Sequence, residues 1–147
     1  QLVPALLAGM LEICREHTEL RSRRLLLLSP HAEVHAALRA ALAADADLAC
    51  FKLVPDFERG GVVETARKLA ARDVSIGLTP LRLWAEVRRD VLSALRARLR
   101  GALDSVTVWG IEDEETLVEV VRFGVDGIIT SKIELARRLL SAHARQH

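Results

Sequence analysis

The stretch GVDGIITSK, residues 124–132, decides how the whole chain is read. A Gly-Val-Asp-Gly turn leads through Ile128 and Ile129 to a polar end, Thr130-Ser131-Lys132. The apolar run is too short for a buried helix and lies between two segments of helical periodicity, so it reads as one buried strand. A strand with a helix on either side is the repeating unit of a parallel sheet. In such sheets ligands gather at the carboxyl ends of the strands, which directs attention to the residues beyond Ile129.

The same alternation runs along the chain upstream. Leu2, Val3, Leu6, Leu7, Met10, Leu11 and Cys14 recur at helical spacing, predicting an amphipathic helix over 3–17. Arg21 to Arg24 lead into LLLLS, 25–29, a short apolar run that reads as a strand. Ser29 and Pro30 suit the cap and first position of a helix whose apolar face is Val34, Ala37, Leu38, Ala41 and Leu42. LACFKLV, 48–54, is the next strand, closed by Pro55-Asp56, and Gly60-Gly61 precedes a helix over 62–72. DVSIGL, 73–78, is a third strand-like run. Thr79-Pro80 is the clearest helix start, with a stripe of Leu81, Trp84, Val87, Val91, Leu95 and Leu99 behind it. VTVWGI, 106–111, is a β-branched strand, and Glu112 to Glu115 place negative charge where a helix dipole favours it. Gly124 is placed to end that helix, and Ser131 with Glu134 has the spacing of a capping box for a last helix through about Ala144. The expected architecture is a single α/β domain over 1–147, built of parallel βα repeats.

Composition narrows the function. Half of the 147 residues are hydrophobic, and 21 basic residues against 20 acidic give a formal net charge of only +1. No global field favours nucleic acid or an anionic membrane. The arginines Arg88, Arg89, Arg96, Arg98 and Arg100 fall between the apolar positions of one helix, as on a solvated outer face. Cys14 and Cys50 lie in apolar segments without metal or redox spacing, which reads as reduced, buried thiols and favours a cytoplasmic chain. No apolar run approaches the roughly 18 residues that span a bilayer. The start at Gln1, inside helical sequence, reads as part of something longer.

Several side chains at strand ends are candidates for chemistry. Thr130 and Ser131 could offer hydroxyls and helix amides to a phosphate, but Ser131 is fully explained as a cap, and caps are commoner than phosphate sites. Trp109 can wall a pocket with its indole N–H at the mouth, or pack between sheet and helix. Ser29 ends the first strand. Lys52 interrupts an apolar strand and suits either a Schiff-base role or a stem that reaches to solvent. His31 and His35 share one helix face at metal spacing, but no third ligand is evident, and exposed histidines fit better.

Residues 106–132, VTVWGIEDEETLVEVVRFGVDGIITSK, resemble the C-terminal signature of the glycerophosphodiester phosphodiesterase family, a Val-x-Val-Trp-Thr-Val-Asn strand followed by Gly-Val-Asp-Gly-Ile-Ile-Thr-Asp. Trp109 matches the family tryptophan, and Gly124 to Thr130 match the last strand. Upstream, LLLLSPHAEV resembles the strand ending in Ser-Phe, with Ser29 on the serine. The resemblance implies a TIM-barrel-like fold of the phospholipase-C-like phosphodiesterase type, of which this chain is the C-terminal half. It also implies hydrolysis of glycerophosphodiesters in lipid metabolism, with a divalent metal, Ca or Mg. Trp109, Thr130 and Ser29 are then substrate-binding. Gly110, Glu112 and Ser131 depart from the family's threonine, asparagine and aspartate. The family's His-Arg-Gly strand and its Glu-x-Asp metal ligands belong to the other half of the barrel, so this chain is expected to ligate no metal fully.

Three readings are open. The first is an incomplete or inactive phosphodiesterase-like domain whose open sheet edges call for a homodimer or the missing barrel half. The second is a noncatalytic α/β interaction module derived from the same barrel. The third is a Schiff-base aldolase using Lys52.

Overall fold

The computed structural model describes residues 2–22, 25–57 and 60–144, which form two compact units, Gln1–Pro55 and Asp56–His147. Arg23 and Arg24 lie outside the described residues. Five strands are parallel and follow chain order: β1 (Leu25–Ser29), β2 (Phe51–Phe57), β3 (Asp73–Gly77), β4 (Ser105–Trp109) and β5 (Gly127–Ile129). Helices separate them: α1 (Leu2–Glu16) before β1, then α2 (Ala32–Ala44), α3 (Val62–Lys68), α4 (Trp84–Leu99), α5 (Glu114–Phe123) and α6 (Ile133–Ala144). The fold is therefore α/β with parallel βα repeats, TIM-barrel-like in class, as the alternating periodicity required.

In the first unit β1 pairs with β2, Leu25 opposite Phe51 and Ser29 opposite Pro55. Met10, Cys14, His35, Leu38, Leu48, Cys50 and Val54 are buried there. Three expectations fail in this unit. Helix α2 begins at Ala32 with His31 at its cap, because the Ser29 hydroxyl accepts from the His31 amide, 3.2 Å, and turns the chain before the helix starts. His35 is not on the solvent face: it is 1 % exposed, and its Nε2 donates to the Ser29 carbonyl at 2.8 Å. The second strand also runs three residues later than expected, since Ala46–Leu48 winds into a 3-10 turn capped by Asp45.

In the second unit β3 pairs with residues 56–57 of β2 on one side and with β4 on the other, and β4 pairs with β5. The core joins Val74, Ile76, Val106 and Val108 to Val62 and Ala66 of α3, Val87, Val91 and Ala94 of α4, and Leu117 and Val120 of α5. Local rules hold at α5: the Asp113 carboxylate accepts from the Thr116 amide, and Gly124, at φ 70°, closes the C-terminus in the left-handed region. Asp126 fixes the approach to β5. Its carboxylate accepts from the Val106 amide at 2.9 Å and from Arg98 at 2.6 Å, tying the turn to the first residues of β4 and the end of α4.

The Thr79-Pro80 start is overturned. Helix α4 begins only at Trp84, with Leu83 at its cap, and Leu81 is 95 % exposed. The reason is Arg82, whose side chain turns inward and leaves both flanking leucines outside. At the far end Leu99 is likewise exposed, while Ala94 and Ala97 are the buried positions of the last turns.

Candidate functional site

Alternation along the strands of the second unit separates two faces. One packs on the helices. The other carries Asp56; Asp73, Ser75 and Gly77; Ser105, Thr107 and Trp109; and Gly127 with Ile129. Register arranges these as rows, Asp56-Ser75-Thr107-Gly127 and, nearer the carboxyl ends, Gly77-Trp109-Ile129. The first row is polar and small. Gly127 is required in it, because a Cβ there would stand 2.8 Å from the Thr107 Oγ1.

Trp109 lies flat across its neighbouring strand. A Cβ on Gly77 would fall 2.3 Å from Trp109 Cζ2 and 2.4 Å from Cε2, so the indole covers Gly77 directly. Beyond Gly77 the indole N–H donates to Asp56 Oδ1 at 2.6 Å. Trp109 is thus half-buried, oriented by a carboxylate on β2 and seated on a glycine of β3. Both alternatives from the sequence concerned Trp109 alone; neither Asp56, read as a strand stop, nor Gly77 was picked out. The available signal was the glycine, since glycine inside an apolar strand marks close approach.

Arg82 was also missed. Its side chain is 7 % exposed and paired at 2.5 Å with Asp90 of α4, itself 15 % exposed. The same guanidinium reaches the carbonyls of Gly77, 3.3 Å, and Phe57, 3.5 Å, and so clamps the carboxyl ends of β2 and β3 to α4. A cleft of about 420 Å³ opens beside this pair, lined by Gly60, Thr79, Leu81, Glu86 and Arg89.

At the end of β5 the hydroxyls offered to a phosphate already have partners. Thr130 Oγ1 donates to the Ile111 carbonyl at 2.6 Å and accepts from the Lys132 amide at 3.0 Å. Ser131 is no capping box. Its hydroxyl donates to Glu112, and its amide donates to the other oxygen of that carboxylate at 3.3 Å, while Glu134 pairs with Arg137. A carboxylate of the chain itself therefore sits at the entry to α6, where an anion is favoured. These bonds from Ser131, with Lys132 nearby, hold the Glu112 carboxyl below its ordinary value of 4.5.

In the first unit, Ser29 is half-buried at the end of β1, its hydroxyl oxygen against the His31 amide and its carbonyl against His35. Lys52 stands on β2 opposite Leu26 and is half-buried. His31 is exposed and His35 buried, so the two do not form a surface pair. Among the described residues no three His, Cys, Asp or Glu side chains lie close enough to hold a metal ion, and no helix is long and apolar enough to cross a membrane.

No family model matches the chain, and no curated protein matches it in sequence. Among solved structures, the chain is similar to one assigned as a glycerophosphoryl diester phosphodiesterase from Silicibacter pomeroyi, at 16% identity and a TM-score of 0.54. The match covers 92% of this chain and 56% of that one, so the chain spans little more than half the length of its structural neighbour. At that identity the likeness carries the fold alone.

Proposed function

We propose that this chain is part of a glycerophosphodiester phosphodiesterase-like barrel and forms the wall of its substrate pocket without hydrolysing phosphodiesters alone. The observation that carries the reading is the Trp109 indole, held over Gly77 by Asp56 at the carboxyl end of β4. The strand-end signature it belongs to and the likeness in fold to the Silicibacter pomeroyi structure support it. In this reading Trp109 presents an apolar face to the glycerol or head group and Thr130 lines the pocket rim, while a substrate-binding role for Ser29 rests on the family resemblance. Hydrolysis of a phosphodiester also needs a charge clamp on the phosphate and a proton donor for the leaving alkoxide. In this reading the divalent Ca or Mg of that family, the clamp and the acid are assigned to the other barrel half or a second copy. The test is release of glycerol 3-phosphate from glycerophosphocholine with added Ca²⁺ or Mg²⁺. None is expected from the chain alone, and turnover abolished by chelation would overturn the assignment.

One observation favours the second reading, a noncatalytic interaction module. Glu112 occupies the amide and hydroxyl of Ser131, groups that would otherwise be open to a substrate phosphate. Under that reading no glycerophosphodiester binds at all.

A further inference from the structure

Cys14 lies on α1 and Cys50 immediately before β2, 36 positions away, yet their Sγ atoms are 3.6 Å apart. Neither is in a disulfide, and they are 0 % and 8 % exposed. Cys50 is held from the other side as well, because its carbonyl accepts from the Leu25 amide at the start of β1, 2.8 Å.

We propose that Cys14 and Cys50 are an oxidation site that closes to an intramolecular disulfide. A disulfide needs its sulfurs at about 2.05 Å, so from 3.6 Å the gap to close is about 1.6 Å. The oxidant is a peroxide. One sulfur attacks a peroxide oxygen, water departs and a sulfenic acid forms. The second sulfur then displaces the sulfenic oxygen as a second water, so two thiols and one hydrogen peroxide give one S–S bond and two waters. Burial keeps the thiols from larger reagents, and access comes through local opening of the packing between α1 and the residues before β2. Once formed, the bond staples α1 to the strand that comes after α2 and removes that opening. A closed loop of this length constrains the unfolded chain strongly.

The experiment treats the whole chain with hydrogen peroxide, then denatures and alkylates it without reductant. The expected product has lost two hydrogen atoms by intact mass, carries no alkylated cysteine, and melts roughly 5 °C or more above the untreated chain. Dithiothreitol should reverse all three changes. Cys14→Ser and Cys50→Ser should each abolish the gain, and reversal in the wild-type chain serves as the control if either variant folds poorly. Two alkylatable thiols after oxidation, a disulfide between chains, or sulfinic acid in place of the bond would each overturn the proposal.

Discussion

Replacing Gly77 by alanine tests the seat of Trp109 most sharply. In a strand without a positive φ, glycine to alanine ordinarily stabilises by about 0.5–1 kcal/mol through the unfolded chain. Here the new methyl would stand 2.3 Å from Cζ2 and 2.4 Å from Cε2 of the indole. Carbon atoms pack at about 3.5–4.0 Å, so the ring must move by more than about 1 Å. That displacement breaks the 2.6 Å bond to Asp56, a hydrogen bond to a carboxylate. Overpacking costs about 1–3 kcal/mol and such a hydrogen bond about 1.5–3 kcal/mol. Both come from the same motion and do not add. A net loss of about 2 kcal/mol is expected, lowering Tm by roughly 6–10 °C. Urea or thermal unfolding measures it, and Trp109 emission, read in a Trp84→Phe background, should shift as the indole leaves Asp56. Adding Trp109→Ala should restore the ordinary benefit of alanine at 77. A Gly77→Ala variant as stable as the parent with unchanged emission would refute the reasoning.

Other substitutions probe the supports around this site. Arg82→Ala should cost about 3 kcal/mol or more in urea unfolding, because it strands Asp90 in a buried position and releases the carbonyls of Phe57 and Gly77. Asp126→Ala should cost about 1–3 kcal/mol by leaving the Val106 amide without its acceptor, whereas Asp126→Asn, which keeps one, should cost less. The Ser75 hydroxyl is fully buried without a hydrogen-bond partner, so Ser75→Ala should leave Tm unchanged or raise it. Glu112 is held below 4.5 in the folded chain by Ser131 and Lys132, so its contribution is present above about pH 4.5 and lost as pH falls through the folded value. The Tm difference between wild type and Glu112→Gln should therefore be largest near neutral pH and vanish in acid.

The periodic signals in the sequence were strong enough for the fold class, because alternating β-branched runs and capped helices act within a few residues. Val106 to Trp109, Asp113, Gly124 and Gly127 to Ile129 lie where local rules placed them. Thr79-Pro80 failed because a cap rule sees only its neighbours, while Arg82 answers to Asp90 and to two strand-end carbonyls brought near by folding. Asp56 could not be read as the partner of Trp109 across 53 positions of chain, nor Glu112 as the occupant of Ser131 across 19. His35 was misplaced because helical periodicity counts a histidine as polar and does not see the Ser29 carbonyl that its ring bonds inside the unit. Pairings of this kind depend on strand register, which no single segment states.

The most direct test of the pocket assignment is a titration of Trp84→Phe protein with glycerophosphocholine, monitored by Trp109 emission. A saturable change is expected, weakened in Asp56→Ala, where the indole loses its anchor. A Trp109 signal that ignores glycerophosphocholine at every concentration would contradict it.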